Sequence, residues 1–139
     1  MTDDTIAEAK RIVAAYLERS MAKDAEGARR YMAQGCEIVF TGGRRMAGPE
    51  DPPAFNAKRY SSVQKRPLRT DAVWNEEAGA VHVWATGHLH GEWPDGKPFD
   101  GNRYVDFFAV KDGLIVRTEV WNDSAEILLD RAGLSEAPL

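Results

Sequence analysis

The chain has 139 residues, with 18 Lys and Arg against 22 Asp and Glu, a formal charge of −4. With 43% apolar and 29% charged residues it is not a disordered or fibrous chain, and it fits one soluble domain large enough for a core and a modest pocket. It has no apolar run long enough for a membrane helix, no apolar signal core in MTDDTIAEAK, and a lone Cys36 that excludes an internal disulfide and a multi-cysteine zinc site, so a cytoplasmic protein is expected.

Residues 4–21 place Ile6, Ala9, Val13, Tyr16 and Leu17 on one face at helical spacing. Asp3, Asp4 and Glu8 lie near the start, where the helix dipole favours negative charge. Asp24 can cap a second helix over 24–33, anchored by Tyr31 and Met32 and broken by Gly35. CEIVFT, 36–41, predicts a short strand ended by Gly42 and Gly43. A third helix is predicted at 51–61, after the Pro-containing GPEDPP. The second half is rich in Val, Thr, Phe, Tyr and Trp. DAVWN, GAVHVWATGHLHGEW, KPFDGNRYVDFFAVK and GLIVRTEVW predict long antiparallel strands, separated by turn residues at 75–78, 94–97 and 111–113. DSAEILLDRA, 123–132, predicts a final helix with Asp123 as its cap and Gly133 just past its end.

Helices followed by a run of strands give an α+β class. The predicted architecture is a cone-shaped, curved antiparallel sheet covered by three N-terminal helices, with a short C-terminal helix. It forms one domain over 1–133, followed by a tail at 134–139. The open end of such a cone is a natural small-molecule pocket. Its expected lining is Tyr16, Tyr31, Phe40, Tyr60, Trp74, Trp84, Phe108 and Trp121.

Two stretches carry a family resemblance. ATGHLHGEWPDGKPF, followed by RYVDFFAVKDGLIVRTEVWNDSAEILLDRAGL, resembles the SnoaL-like branch of the nuclear transport factor 2-like superfamily. In that branch a TG…G…P-x-G-K hairpin leads into a strand ending in a DGKI-type turn, here Asp112-Gly113-Leu114-Ile115. A Trp and a nearby Asp, here Trp121-Asn122-Asp123, and a short Leu-rich helix follow. The resemblance implies the fold, and implies no metal or cofactor. It leaves the reaction open, because the superfamily includes polyketide cyclases, ketosteroid isomerases, epoxide hydrolases, dehydratases and non-catalytic binding modules.

By the same resemblance Asp123 is an acid/base, its alternative being a plain helix cap. A catalytic Asp123 should have a raised pKa and a cap a normal or lowered one. Resemblance to ketosteroid isomerases makes Tyr16 and Asp106 an oxyanion pair, with Asp106 held neutral. The isomerase's base would fall near Phe40, which cannot accept a proton. Tyr16 is otherwise a core residue, and Asp106 a partner of Arg103 or Arg117.

His82, His88 and His90 share one strand face if no bulge intervenes. His88 is a candidate base and His90 a candidate pocket residue; a metal site with Glu92 or Asp100, or an outward-facing surface, are the alternatives. With a two-residue turn at Asp95-Gly96, Ala85 pairs with Asp106 and the histidines face away with Arg103, Val105 and Phe107. A bulge at Gly87 would reverse this. Glu119 and Trp121 share a face, either the pocket or a dimer surface.

Residues 44–69 carry seven basic and two acidic side chains, which either attract an anionic substrate or form a solvated surface. With Tyr60 as the one interleaved aromatic near the basic pairs, nucleic acid is not expected as a partner. Cys36 fits a small hydrophobe.

The function expected is cofactor-free acid/base chemistry on a small carbonyl-bearing cyclic or polyketide-like molecule, through an enolate, as in a cyclase or isomerase. The catalytic set is Asp123, Tyr16, Asp106 and His88. The substrate-binding set is Phe40, Tyr60, Trp74, Trp84, His90, Phe108, Glu119 and Trp121. Alternatives are a non-catalytic binding or dimeric scaffold module, and epoxide hydrolase or dehydratase chemistry in which Asp106 meets Asn122 or Glu119. A homodimer through the outer sheet face, with a hydrophobic small-molecule ligand, is expected; no metal and no membrane partner is.

Overall fold

Helix α1 (Asp3–Met21) forms where the apolar spacing placed it, burying Ala9, Ile12, Val13 and Tyr16. The Thr2 hydroxyl accepts from the Thr5 amide at 3.2 Å and starts the helix. This is a computed structural model, and it describes residues 2–135; residues 136–139 of the expected tail lie outside the described residues. The other elements are α2 (Ala25–Arg29), β1 (Met32–Phe40), β2 (Arg44–Met46), α3 (Asp51–Arg59), β3 (Ser62–Asn75), β4 (Ala80–Glu92), β5 (Pro98–Lys111), β6 (Leu114–Asn122) and α4 (Ser124–Arg131). No helix among the described residues is long and apolar enough to cross a membrane.

The α+β fold stands as expected, with helices packed on a curved six-stranded sheet of order β2-β1-β6-β5-β4-β3. Pairing is antiparallel except between β1 and β6, which run parallel, a departure from the all-antiparallel sheet expected. Helix α2 is shorter than predicted. Asp24 caps it, accepting from the Gly27 amide at 2.9 Å, but the chain leaves the helix before Tyr31. The Ile115 amide donates to the Tyr31 carbonyl at 2.8 Å, drawing the following residues into β1. Gly35 does not break a helix. It lies in β1 at φ +78°, where the register with β6 shifts.

The larger difference is β3, which begins at Ser62, well before the predicted DAVWN segment. SSVQKRPLRT is polar and contains Pro67, which suits an edge strand that needs one row of ladder bonds only. The register with β4 shifts between Pro67 and Arg69, leaving Leu68 66% exposed.

Asp106 pairs with Ala85, as the two-residue turn required, but by another route. Strand β4 ends opposite Pro98, so the connection is longer than two residues. Gly101, at φ +88°, then stands unpaired between Asp100 and Asn102 and restores the register. The bulge falls on β5, so β4 keeps strict alternation. Val81, Val83, Ala85 and Leu89 face the helices, while His82, Trp84, Thr86, His88 and His90 face the other way.

The main core joins Val13 and Tyr16 of α1 to Val83, Phe108 and Ile115 of the sheet. A second cluster, Tyr60, Leu89, Trp93, Phe99 and Tyr104, packs with Ile127 and Leu128 of α4. Between them the curved sheet leaves a hollow.

Candidate active site

The hollow is a cavity of about 60 Å³ between the inner sheet face, α1 and α3. Ligand pockets run roughly 300–1,000 Å³, so this space admits a functional group and not a whole ring system. Its apolar walls include Leu17, Ile38, Phe40, Val63, Leu89 and Phe108. Its polar side chains are Tyr16, Ser20, Asn56, Tyr60, Lys65, Tyr104, Asp106, Thr118 and Asn122.

Asp106 sits midway along β5 with 2% of its surface exposed. Lys65 reaches it from the N-terminal half of β3, and its Nζ donates to Asp106 Oδ2. Strand β4 lies between the two, and Gly87 makes the crossing possible. A Cβ at Gly87 would stand 2.8 Å from the Tyr104 hydroxyl oxygen and 2.4 Å from the Arg66 carbonyl oxygen. Without it, Tyr104 lies close over β4, and the Lys65 ammonium rests 4.7 Å from the ring centre. Asp106 is thus one half of a buried ion pair, not the isolated neutral acid that the isomerase comparison implied.

Tyr16 comes from α1, 4% exposed and edge-on to Phe108 at 5.7 Å. Burial pushes its phenol well above the usual range, and Cys36 and Asp106 add to the shift. Burial, then the Asp106 charge, raises Tyr104 to about 12. Both phenols therefore remain hydrogen-bond donors at neutral pH. The Thr118 hydroxyl is buried in the cavity wall without a partner among the described residues. Tyr60 is tied up, donating to the Ser124 hydroxyl at 2.6 Å, which also accepts from the Asn102 amide at 3.1 Å.

The cavity brings together Tyr16, Phe40, Tyr60, Asp106 and Phe108 of the expected set. Asp123 is not in its lining. The Asp123 carboxylate accepts from Arg103 Nε at 2.6 Å, Nη2 at 3.2 Å and the backbone amide at 3.2 Å. It makes no capping bond to α4; Asn122 does so instead, accepting from the Ser124 amide at 3.1 Å. The Arg103 hydrogen bonds hold Asp123 below its ordinary value against a smaller opposing effect of burial, the reverse of a proton shuttle's raised pKa. Its folded pKa is below its unfolded value of about 3.9, so its stabilisation is complete above that pH and is lost as pH falls through the folded value. The stability gap between wild type and Arg103→Ala should narrow below about pH 4. Urea titrations across pH check this; a gap independent of pH would mean that the pair contributes nothing through Asp123.

The histidines and the three expected tryptophans are also outside the cavity. His88, His90 and Trp84 lie on the outer face by strand parity, where Trp84 and His82 pack against Phe107. Trp121 is outer and 52% exposed, and Glu119 accepts from Arg117 Nε at 3.0 Å. Trp74 lines a separate hollow with Asp4 and Glu8, its indole N–H donating to Glu76 at 2.6 Å. Tyr31 packs against the main core. The basic run is broken up by pairing: Arg45 with Glu37, Arg66 with Asp100, Arg69 with Asp71, and Lys65 turned inward.

Sequence reasoning missed Lys65 as a site residue, and with it Tyr104, Thr118 and Asn56. Only the alternation Val63, Lys65 on a recognised β3 would have turned Lys65 inward. Among the described residues no group of three or more His, Cys, Asp or Glu could hold a metal ion. A carboxylate, an ammonium, two phenols and an unpartnered hydroxyl in a largely apolar hollow can move a proton and stabilise an oxyanion.

A family model described as a SnoaL-like domain matches residues 13–118. Comparison with curated proteins finds no match. Among solved structures, a candidate SnoaL-like polyketide cyclase from Jannaschia sp. CCS1 superposes with a TM-score of 0.72 at 16% identity, over 99% of each chain. A candidate polyketide cyclase from Xanthomonas campestris pv. campestris gives 0.63 at 19% identity, over 94% of this chain and 99% of that one. TerC, co-crystallised with polyporic acid, gives 0.68 at 17% identity, over 87% of this chain and 95% of that one. At these identities the likeness is one of fold.

Proposed function

The chain belongs to the SnoaL-like domain family, and we propose that it is an acid/base enzyme acting on a carbonyl compound through an enolate, with Asp106 as the base. The buried Lys65–Asp106 pair in an apolar hollow carries this reading. A substrate carbonyl oxygen accepts from the Lys65 ammonium and from Tyr16 or Thr118. Asp106 takes a proton from the adjacent carbon; the C–H bond breaks, an O–H bond forms on Asp106, and the electron pair moves to the carbonyl oxygen. The preset donors stabilise that oxygen as its charge grows. The enolate carbon then attacks a second carbonyl, closing a ring, and the alkoxide so formed takes the proton back from Asp106; in an isomerisation Asp106 instead returns the proton to another carbon of a conjugated enolate. Two structural neighbours bear the name of candidate polyketide cyclases, which fits a substrate with several carbonyl groups.

Deuterium exchange tests the reading without a known substrate. In heavy water the wild-type protein should speed exchange next to the carbonyl of β-tetralone. Asp106→Asn should lose about 10²-fold or more of that acceleration, and Tyr16→Phe less. Exchange no faster than in buffer, or undiminished in Asp106→Asn, would overturn the assignment. The small volume of the hollow favours one second reading, a module that binds without turnover. Retained ligand binding with no exchange would establish it.

A further inference from the structure

Five of the six lysines, Lys10, Lys23, Lys58, Lys97 and Lys111, are exposed. Lys65 alone is drawn in, its side chain 18% exposed and its Nζ donating to Asp106 in the wall of a largely apolar hollow. Stability does not explain the placement, because an ion pair withdrawn from water is often no better than apolar side chains of the same volume. Nor does it serve Asp106 as a base for carbon: while the ammonium holds Oδ2, that oxygen is not free to take a C–H proton. The oxyanion donation assigned to Lys65 above is a task that the Tyr16 phenol and the Thr118 hydroxyl also fill. What neither of them supplies is an amine.

We infer that Lys65 is also a nucleophile, which adds to the carbonyl of a small ketone or aldehyde and holds it as an imine, with Asp106 carrying the protons. This rests on the pocket assigned above. The ammonium first passes a proton to Asp106 Oδ2, the atom to which it already donates. The Nζ lone pair then forms a C–N bond as the carbonyl π pair moves to oxygen. Asp106 gives its proton to that oxygen and takes a second one from the nitrogen. It then protonates the hydroxyl, which leaves as water while the nitrogen pair forms the C=N bond. Lys65 ends as a protonated imine and Asp106 as a carboxylate. Two ammonium hydrogens and the carbonyl oxygen have left as one water.

Two features of the hollow favour this route. The imine nitrogen keeps one N–H where the ammonium had three, which loosens its hold on Asp106. The carbon next to the C=N bond then lies two bonds from Nζ, so its hydrogens come within reach of the same carboxylate. A C–H beside a cationic C=N is far more acidic than one beside a neutral C=O, and the difficult step is split into easier ones. The second feature is size. A space of about 60 Å³ gives a small carbonyl compound little apolar contact, and a covalent bond retains what burial alone does not.

Acetone with sodium cyanoborohydride at neutral pH is the trap. Hydride adds to the imine carbon and fixes an isopropyl group on the nitrogen, and peptide mass spectrometry locates it. In the wild type Lys65 should carry about tenfold or more of the label found on any exposed lysine, since those lack a positioned proton carrier in an apolar site. A second readout uses β-tetralone in water enriched in heavy oxygen. Imine formation carries the carbonyl oxygen away and hydrolysis brings one from solvent, so the ketone takes up the label; enolisation alone leaves that oxygen in place. Lys65→Arg keeps a cation for Asp106 but has no nucleophilic amine, and should lose about tenfold or more of the oxygen exchange. Label spread evenly over the lysines, or none on Lys65, would overturn the inference. So would oxygen exchange absent from the wild type or undiminished in Lys65→Arg. Asp106-dependent deuterium exchange without trapping at Lys65 would sink this inference alone. Trapping at Lys65 without deuterium exchange would sink the proton-transfer reading alone.

Discussion

Lys65→Met should lower the unfolding free energy by about 3–5 kcal/mol, and adding Asp106→Leu should restore most of it. Lys65 is the one cation in the cavity lining, and the Asp106 side chain has 2% of its surface exposed. Removing the ammonium leaves a carboxylate in a largely apolar wall with only hydroxyls and amides nearby. The desolvation cost of that charge, formerly offset by its partner, then falls on the folded state alone. Replacing both members removes the charge and its cost together, and Leu fills part of the space. Guanidinium unfolding of the two single variants and the double variant gives the cycle. Equal stability of Lys65→Met and wild type would show that the two groups do not act as a pair, and the proposed chemistry would lose its base and its oxyanion donor together.

Much of the fold was legible because its signals are local. The face of α1 rests on five apolar positions at helical spacing, and β4 and β5 on runs of Val, Thr, Phe, Tyr and Trp between turn residues; burial alternates along β4 but is continuous over residues 106–110 of β5. The N-terminal half of β3 was not legible. An edge strand ladders on one side only and is wetted along much of its length, so SSVQKRPLRT carries neither apolar alternation nor a complete set of amide donors. Gly35 was misread for a related reason: a glycine at positive φ serves a helix end or a strand bulge equally well. The β4–β5 register came out right although the turn was wrong, because the bulge at Gly101 offsets the displaced turn.

The site divides along the same line. Tyr16 followed from a helix face, Asp106 from the resemblance to ketosteroid isomerases, and Phe108 from its place among the aromatic residues of the strand half; the structure puts all three in the cavity lining. Residue type could not say which face of a sheet an aromatic or a histidine occupies. This sheet carries Trp84, Phe107 and Trp121 outside and Tyr104 and Phe108 inside. Parity decided it, and parity depended on which strand carried the bulge. Lys65 was hidden in a run of basic residues, most of which point to solvent. Asp123 was misjudged because its partner, Arg103, lies on a neighbouring strand, and no pattern along the chain reveals that contact.

Phe108→Ala should cost about 3–5 kcal/mol and turn the narrow hollow into a binding cavity for an apolar ring. Phe108 is 1% exposed, packs edge-on against Tyr16, and forms part of both the main core and the cavity wall. Truncation removes its packing and opens its volume into a space of about 60 Å³ that already exists. Close packing around Tyr16 and Ile115 leaves the neighbours little room to collapse into the gap. Toluene, at a concentration about 100-fold above its dissociation constant, would then return roughly 2.7 kcal/mol by mass action. Thermal melts of wild type and variant with and without toluene separate the outcomes. Stabilisation confined to the variant places Phe108 between core and cavity; a loss under about 1 kcal/mol, or equal stabilisation of both proteins, would mean that the ring does not bound the hollow.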